Sequence, residues 1–256
     1  VSGPGCPVCV TADDYIDAAI AYAKMDDVII TTFGDMLKVP GTDSSLAAAQ
    51  AAGADVRIVY SPLDALTVAA ENPVKQVVFL AVGFETTAPT EAAAVLAAEA
   101  QGIRNFFLFS AQKLVPPVMH ALLDGGETHV DGFLLPGHAS VVTGTRVFDF
   151  LAADYHIPGV VGGFQPLEIL HAIHRIIRQT AEGAARIENT YESVVRTEGN
   201  PTALAVIDRV YEPAAAAWRG LGVIPASGLA MREEYAQYDF ARVRPLSIET
   251  RTEGRR

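Results

Sequence analysis

Cys6 and Cys9 are the only two thiols in these 256 residues, and they stand in the stretch Gly3-Pro4-Gly5-Cys6-Pro7-Val8-Cys9. The glycines permit positive φ and close approach. Pro4 and Pro7 withdraw two donors and fix φ, so the stretch reads as a stiff loop. A helix is predicted from Asp13, and its N-terminal partial charge would lie near the thiols and favour thiolate. Such a pair can close to a disulfide, attack an electrophile or supply two ligands to a metal. A closed structural zinc site needs four ligands, and there is no second cysteine pair. The plain alternative is two small residues in a turn, but Cys-x-x-Cys is a redox spacing.

A second constellation is Gly83-Phe84-Glu85-Thr86-Thr87, at a predicted strand-to-helix turn. As a helix start it would use Thr86 or Thr87 as the cap, with Glu91 complementing the helix dipole. As a site it offers Glu85 as a proton acceptor or hydrogen-bond anchor. It lacks the glycine spacing and the Gly-Lys-Ser/Thr of a phosphate loop. His138 follows Pro136-Gly137 at a strand end, where a side chain faces a crevice and can donate a proton or bind a metal. Asp35 and Lys38 either line the same crevice or form a solvated turn. His171 and His174, at i and i+3 on one helix, read as surface or interface residues, and Glu168 as an acid supporting its own helix start.

The elements that must position these residues alternate short β-rich runs with alanine-rich helical runs. That predicts an α/β fold with mainly parallel strands. Strands are expected at 28–33, 56–60, 76–82, 105–109, 132–135 and 159–161. Asp43 is expected to cap a helix ending at Gly53, and Ser61 with Pro62 and Asp64 makes a capping-box-like start. A helix from Pro166 would turn Ile169, Ile173, Ile176 and Ile177 inward, and helix is expected again over 203–218. The tail 251–256 reads as frayed.

Ser61-Pro62-Leu63-Asp64-Ala65-Leu66 is echoed by Gln165-Pro166-Leu167-Glu168-Ile169-Leu170, 104 residues later. At that offset the strand at 29–33 falls on 133–137. Two similar Rossmann-like units facing a central cleft are therefore expected. The expected division is 1–72 with the Cys loop, 73–185, and a helical segment 186–256 returning across both. Ligands of parallel α/β sheets sit beyond the carboxyl ends of the strands. That would gather the Cys loop, Asp35, Gly83 to Thr87, Pro136 to His138, and Gly163-Phe164.

Composition narrows the function. With 50% hydrophobic and 19% charged residues the chain can bury a substantial core. A net charge of -11 argues against nucleic acid, whose phosphates call for clustered Lys and Arg. Two cysteines make no secreted disulfide scaffold, so a reducing cytoplasm fits best. No apolar run reaches the length of a membrane span, and no signal peptide is visible.

Taken together, the motifs resemble the HypD family, which matures [NiFe]-hydrogenases. The strings that carry the resemblance are the Cys loop, Thr32-Phe33-Gly34-Asp35-Met36 with Val39-Pro40-Gly41, Tyr60 to Leu66, Gly83 to Pro89, Pro136-Gly137-His138, Gly163-Phe164 and Trp218-Arg219-Gly220-Leu221-Gly222. They run in family order along nearly the whole chain. The resemblance implies two α/β lobes around a cleft and binding of the small chaperone HypC. It also implies receipt of cyanide through HypE, and assembly of the iron that carries cyanide and carbon monoxide. By the same token Cys6 and Cys9 would be redox-active thiols, able to deliver electrons or to hold the assembly. Glu85, Thr86, Thr87 and His138 would orient it, with Asp35, Gly83, Phe84, Pro136, Gly163 and Phe164 around them. The family's upstream Cys-Gly-Thr-His-type motif and its cysteine-rich segment for a [4Fe–4S] cluster are not in this sequence. Ala139 stands where the family usually has valine. The competing classes are a thiol–disulfide oxidoreductase acting through Cys6 and Cys9 alone and, last, a nucleotide-binding module.

Overall fold

A computed structural model of the chain describes residues 2–3, 5–126 and 128–246. Pro4 and the tail 251–256 lie outside the described residues. In chain order, α1 (Asp13–Ala23) leads to β1 (Val28–Thr32), α2 (Leu46–Ala51) to β2 (Val56–Ile58), α3 (Pro62–Glu71) to β3 (Gln76–Ala81), and α4 (Ala88–Gln101) to β4 (Phe106–Ser110). These strands form one parallel sheet in the order β2-β1-β3-β4. Alternation along β3 shows why the run is apolar throughout. Val77, Phe79 and Ala81 pack with Ala65 and Leu66 of α3 and Ala92 and Val95 of α4. Val78 and Leu80 pack with Ile16 and Ile20 of α1 and Leu46 of α2. A parallel sheet clad on both faces has no polar side to show.

The chain continues through α5 (Val115–Asp124), β5 (Phe133–Pro136), α6 (Gly137–Thr143), α7 (Asp149–Ala153), β6 (Gly159–Gly162), α8 (Pro166–Ala181) and β7 (Ile187–Asn189). Strands β5-β6-β7 make a second parallel sheet. Next come α9 (Pro201–Val210), an antiparallel pair β8 (Tyr211–Trp218) and β9 (Gly222–Met231), and α10 (Phe240–Val243). Among the described residues no helix is long and apolar enough to cross a membrane.

The 104-residue echo extends to strand register. Ile30 pairs with Val56 and Thr32 with Ile58, while Leu134 pairs with Val160 and Pro136 with Gly162. Helices α3 and α8 both open on a capping box, Ser61 with Asp64 and Gln165 with Glu168, with proline in the first turn. The third strand breaks the symmetry. β3 adds beside β1, whereas β7 adds beside β6. The free edge of β5 is taken by Ser2, whose N–H donates to the Gly132 carbonyl and whose carbonyl accepts from Leu134 N–H.

Several expectations need correction. Residue 72 does not divide the sheets, because β3 and β4 continue the sheet of β1 and β2. The region beyond 186 is not wholly helical: α9 stops at Val210 and β8 follows. Pro213 cannot donate inside a helix, and Gly220 and Gly222 take the positive φ values of +81° and +79° that turn the hairpin. Ser45, not Asp43, caps α2, accepting from Ala48 N–H. Ile176 is buried, but Ile177 is on the outer face, 58% exposed.

Gly144 (φ +81°) and Gly199 (φ +73°) pack backbone to backbone, and a Cβ on either would overlap main-chain atoms of the other's segment. Gly183 (φ +64°) has open space around it. Gly183→Ala should therefore cost only the left-handed strain, about 1 kcal/mol. Gly199→Ala should cost about 1–3 kcal/mol more from overpacking. Urea midpoints of the two variants check this, and equal losses would contradict it.

Candidate functional site

A cavity of about 360 Å³ gathers residues from distant parts of the chain. The Cys loop contributes Gly3, Gly5 and Val10, and the turn after β3 contributes Phe84 and Thr86. Pro136 and His138 come from the end of β5, Phe164 from the turn after β6, and Trp218 from the end of β8. Two aromatic contacts shape its wall. Phe84 stacks on Trp218 at 6.3 Å between centroids, and His138 lies 4.4 Å from Phe164 at 42°. The indole N–H of Trp218 donates to Ser227 Oγ at 2.8 Å, which satisfies the one polar atom of a buried ring.

Cys6 and Cys9 are both exposed free thiols, each one residue from a residue lining the cavity. The loop is held at both ends. Ser2 sits on the edge of β5, and Val10 accepts from Arg219 N–H at 2.9 Å. Within it, Cys9 N–H donates to Cys6 Sγ at 3.3 Å, and Thr11 Oγ1 donates to the Pro7 carbonyl. Hydrogen bonding with the Cys6 side chain raises the Cys9 thiol from its ordinary pKa, while the Arg219 charge pulls it down. The expected help of a helix N-terminus is not the dominant effect at Cys9. Asp13 and Asp14 occupy the first turn of α1 and offset its positive end.

Glu85 is buried, with Oε1 accepting from Val115 N–H at 2.8 Å at the start of α5. Its Oε2 has no partner among the described residues, and burial pushes its pKa up to about 7. Thr87 does not cap α4 with its side chain. It accepts instead from Gln112 Nε2 at 2.7 Å, and the same amide reaches both oxygens of Glu91 at 2.8 Å. Glu91 is wholly buried and burial raises it to about 8, which favours the neutral acid over the dipole-complementing charge expected. Gly83 must be glycine, because a Cβ there would overlap Thr87 Oγ1 and crowd Gln112 Nε2. Lys113, also buried, is drawn down to about 8 by desolvation and lies 5.8 Å over the Trp218 ring.

Of the residues singled out from sequence, Phe84, Thr86, Pro136, His138 and Phe164 line the cavity, and Cys6 and Cys9 adjoin it. Gly83, Glu85 and Thr87 belong to the packing behind the turn, and Gly163 backs onto the Glu168 carboxylate. Asp35 is exposed on a short helical turn at Gly34–Lys38 and is not part of the lining. His171 and His174 are exposed on α8, and among the described residues no group of three or more His, Cys, Asp or Glu could hold a metal. Gln112, Lys113 and the packing role of Trp218 went unread, and Glu91 was read as a dipole-complementing charge and not as a buried acid. Glu91 shares the i, i+3, i+4, i+7 face of Ala88, Ala92 and Val95, the pattern that would have marked it as buried.

Comparison with known proteins decides the family. The HypD family model, described as "Hydrogenase formation hypA family", matches residues 1–255. The chain belongs to the HypD family. It is 48% identical over 240 residues to hydrogenase maturation factor HypD of Rhodobacter capsulatus, covering 93% of this chain and 64% of that protein. The Escherichia coli (strain K12) hydrogenase maturation factor HypD is 43% identical over 240 residues, with the same coverage of 93% and 64%. A putative hydrogenase expression/formation protein of Methanocaldococcus jannaschii is 43% identical over 240 residues, covering 94% and 66%. The chain thus spans just under two thirds of the length of these HypD relatives.

Two measurements follow from this geometry. Because Glu91 has a higher pKa folded than unfolded, its contribution is fully present below about pH 4.5 and is lost as pH rises through about 8. The wild type should lose stability between those limits, and Glu91→Gln should flatten that slope in urea titrations at pH 5, 7 and 8.5. In Cys6→Ala the Cys9 thiol loses its partner, so its iodoacetamide alkylation at pH 8 should quicken about threefold or more by peptide mass mapping.

Proposed function

We propose that this chain serves hydrogenase maturation as the scaffold on which, together with HypC, the iron carrying cyanide and carbon monoxide is put together. The reading is supported most by one observation: the Cys-loop flank, the turn after β3 and the Pro-Gly-His turn meet at a single cavity. The iron group is cargo, built and passed on. Cys6 and Cys9 act as its redox partner. Closing to a disulfide releases two electrons and two protons, enough for one two-electron step at the bound group. Thr86 and His138 offer hydrogen bonds to the cargo's ligands, and Phe84, Phe164 and Trp218 keep water from it. Glu85, with an unpartnered oxygen and a pKa near 7, holds the turn and can keep a proton beside it. HypE enters transiently as the source of cyanide, in a reducing cytoplasm.

A [4Fe–4S] cluster, which the family resemblance brings with it, does not fit this chain. It requires four thiolates and the sequence has two cysteines.

The exposed pair also supports the second reading, a thiol–disulfide oxidoreductase. Mixing the chain with HypC, iron, cyanide-charged HypE and dissolved carbon monoxide should give cyanide and carbonyl infrared bands that are lost, about tenfold or more, in Cys6→Ser or Cys9→Ser. Absence of bands together with absence of HypC binding would sink the scaffold reading. Reduction of an insulin disulfide that vanishes in both variants would then favour the oxidoreductase.

A further inference from the structure

Lys24, Lys38 and Lys75 reach solvent, whereas Lys113 is buried and has no part in the chemistry above. It follows β4 at the carboxyl end of the first sheet, where pairing on two sides fixes its backbone. Its N–H donates to the Gly83 carbonyl, and it bridges Gly228 of β9. The side chain stays inside, 3% exposed. Its ammonium donates to the Ala111 carbonyl at 3.3 Å and makes no ion pair among the described residues. A second cavity, of about 300 Å³, is lined by Lys113 and Ala111 together with Ser110 and the alanines 214–217 of β8. Asp14 of α1 and Asp239 line it as well. An ammonium desolvated without a carboxylate partner is costly, and loss of its proton removes the cost. Burial accordingly draws Lys113 down to about 8, with Asp14 pulling the other way. A desolvated lysine amine is a nucleophile toward carbonyl carbon. An unpaired cation would also suit an anion, but the carboxylates of Asp14 and Asp239 in the same wall repel one. The alanines leave room for a short apolar tail.

We propose that this second cavity is a site for a small neutral aldehyde, which Lys113 captures as an imine. The bond from Lys113 Nζ to the carbonyl carbon forms as the carbonyl opens, and the carbonyl oxygen then leaves as water. The two hydrogens of the amine depart in that water, so no oxidant or reductant is needed. Asp14 and Asp239 are the acids in the wall that can pass those protons. Once protonated, the imine carries its positive charge on the same nitrogen, which lies 5.8 Å over the Trp218 ring. Neither Cys6 nor Cys9 lines this cavity, and the capture does not depend on them.

The test treats the reduced full chain at pH 7.5 with propionaldehyde and sodium cyanoborohydride, which turns an imine into a stable secondary amine. Peptide mass mapping should find the adduct forming at Lys113 about tenfold or more faster than at the exposed Lys24 and Lys38. The Lys113 rate should level off as the aldehyde is raised, because a cavity fills, while the Lys38 rate keeps rising. With glyoxylate, an anionic aldehyde of similar size, the preference for Lys113 over Lys38 should fall about threefold or more. Cys6→Ser and Cys9→Ser should label as the wild type does. An adduct spread evenly over the lysines, a Lys113 rate that never levels off, a preference that glyoxylate keeps, or labelling lost with either thiol would overturn the proposal.

Discussion

The placement of the thiols depends on main-chain hydrogen bonds at the two ends of the first eleven residues. Ser2 is paired into the edge of the second sheet, and Val10 and Thr11 are paired to the end of β8. Between those anchors Val8 packs against the core beside α1, while Gly3 and Gly5 have open space around them. The turn bonds from Cys9, Val10 and Thr11 back to Cys6 and Val8 complete the loop between its fixed ends. The cavity wall depends on it in turn, because Gly3, Gly5 and Val10 close one side.

Beneath the turn after β3 lies a different kind of constraint. Glu91, Gln112 and Thr87 form a buried polar cluster, and Gly83 is the residue that leaves room for it. A neutral carboxylic acid inside a core is tolerated because hydrogen bonds replace those of water and no charge must be desolvated. Such a cluster specifies one geometry for the segment from Gly83 to Thr87, since any slip strands polar atoms in an apolar setting. Rigidity at the turn is the physical return on that arrangement.

Much of this was legible before any coordinates. The parallel α/β class followed from alternating runs, and the 104-residue echo, which aligned 29–33 with 133–137, is matched in the structure by the shared register of β1–β2 and β5–β6. The capping box of Ser61 and Asp64 was legible because it acts within a few residues, although Ser45 displaced Asp43 as the cap of α2. The larger failures were non-local. The alanines at 214–217 have helical propensity, yet pairing with β9 overrides it. The placement of β3 beside β1 is decided by which apolar faces remain to be covered, and that of Ser2 by the open hydrogen-bonding edge of β5; no single segment carries that information. Asp35 stands apart for the same reason: it follows β1 on an exposed turn, whereas the cavity is lined from the turns after β3, β5 and β6.

Trp218 is the sole tryptophan of the chain, and it stands in the cavity wall with Phe84 against it and the Lys113 ammonium over its ring. Indole emission responds to nearby charge and to the polarity around the ring. The molecule therefore carries its own optical reporter, a single indole that long-wavelength excitation separates from the eight tyrosines, placed where the thiol loop, the hairpin and the glutamate turn adjoin.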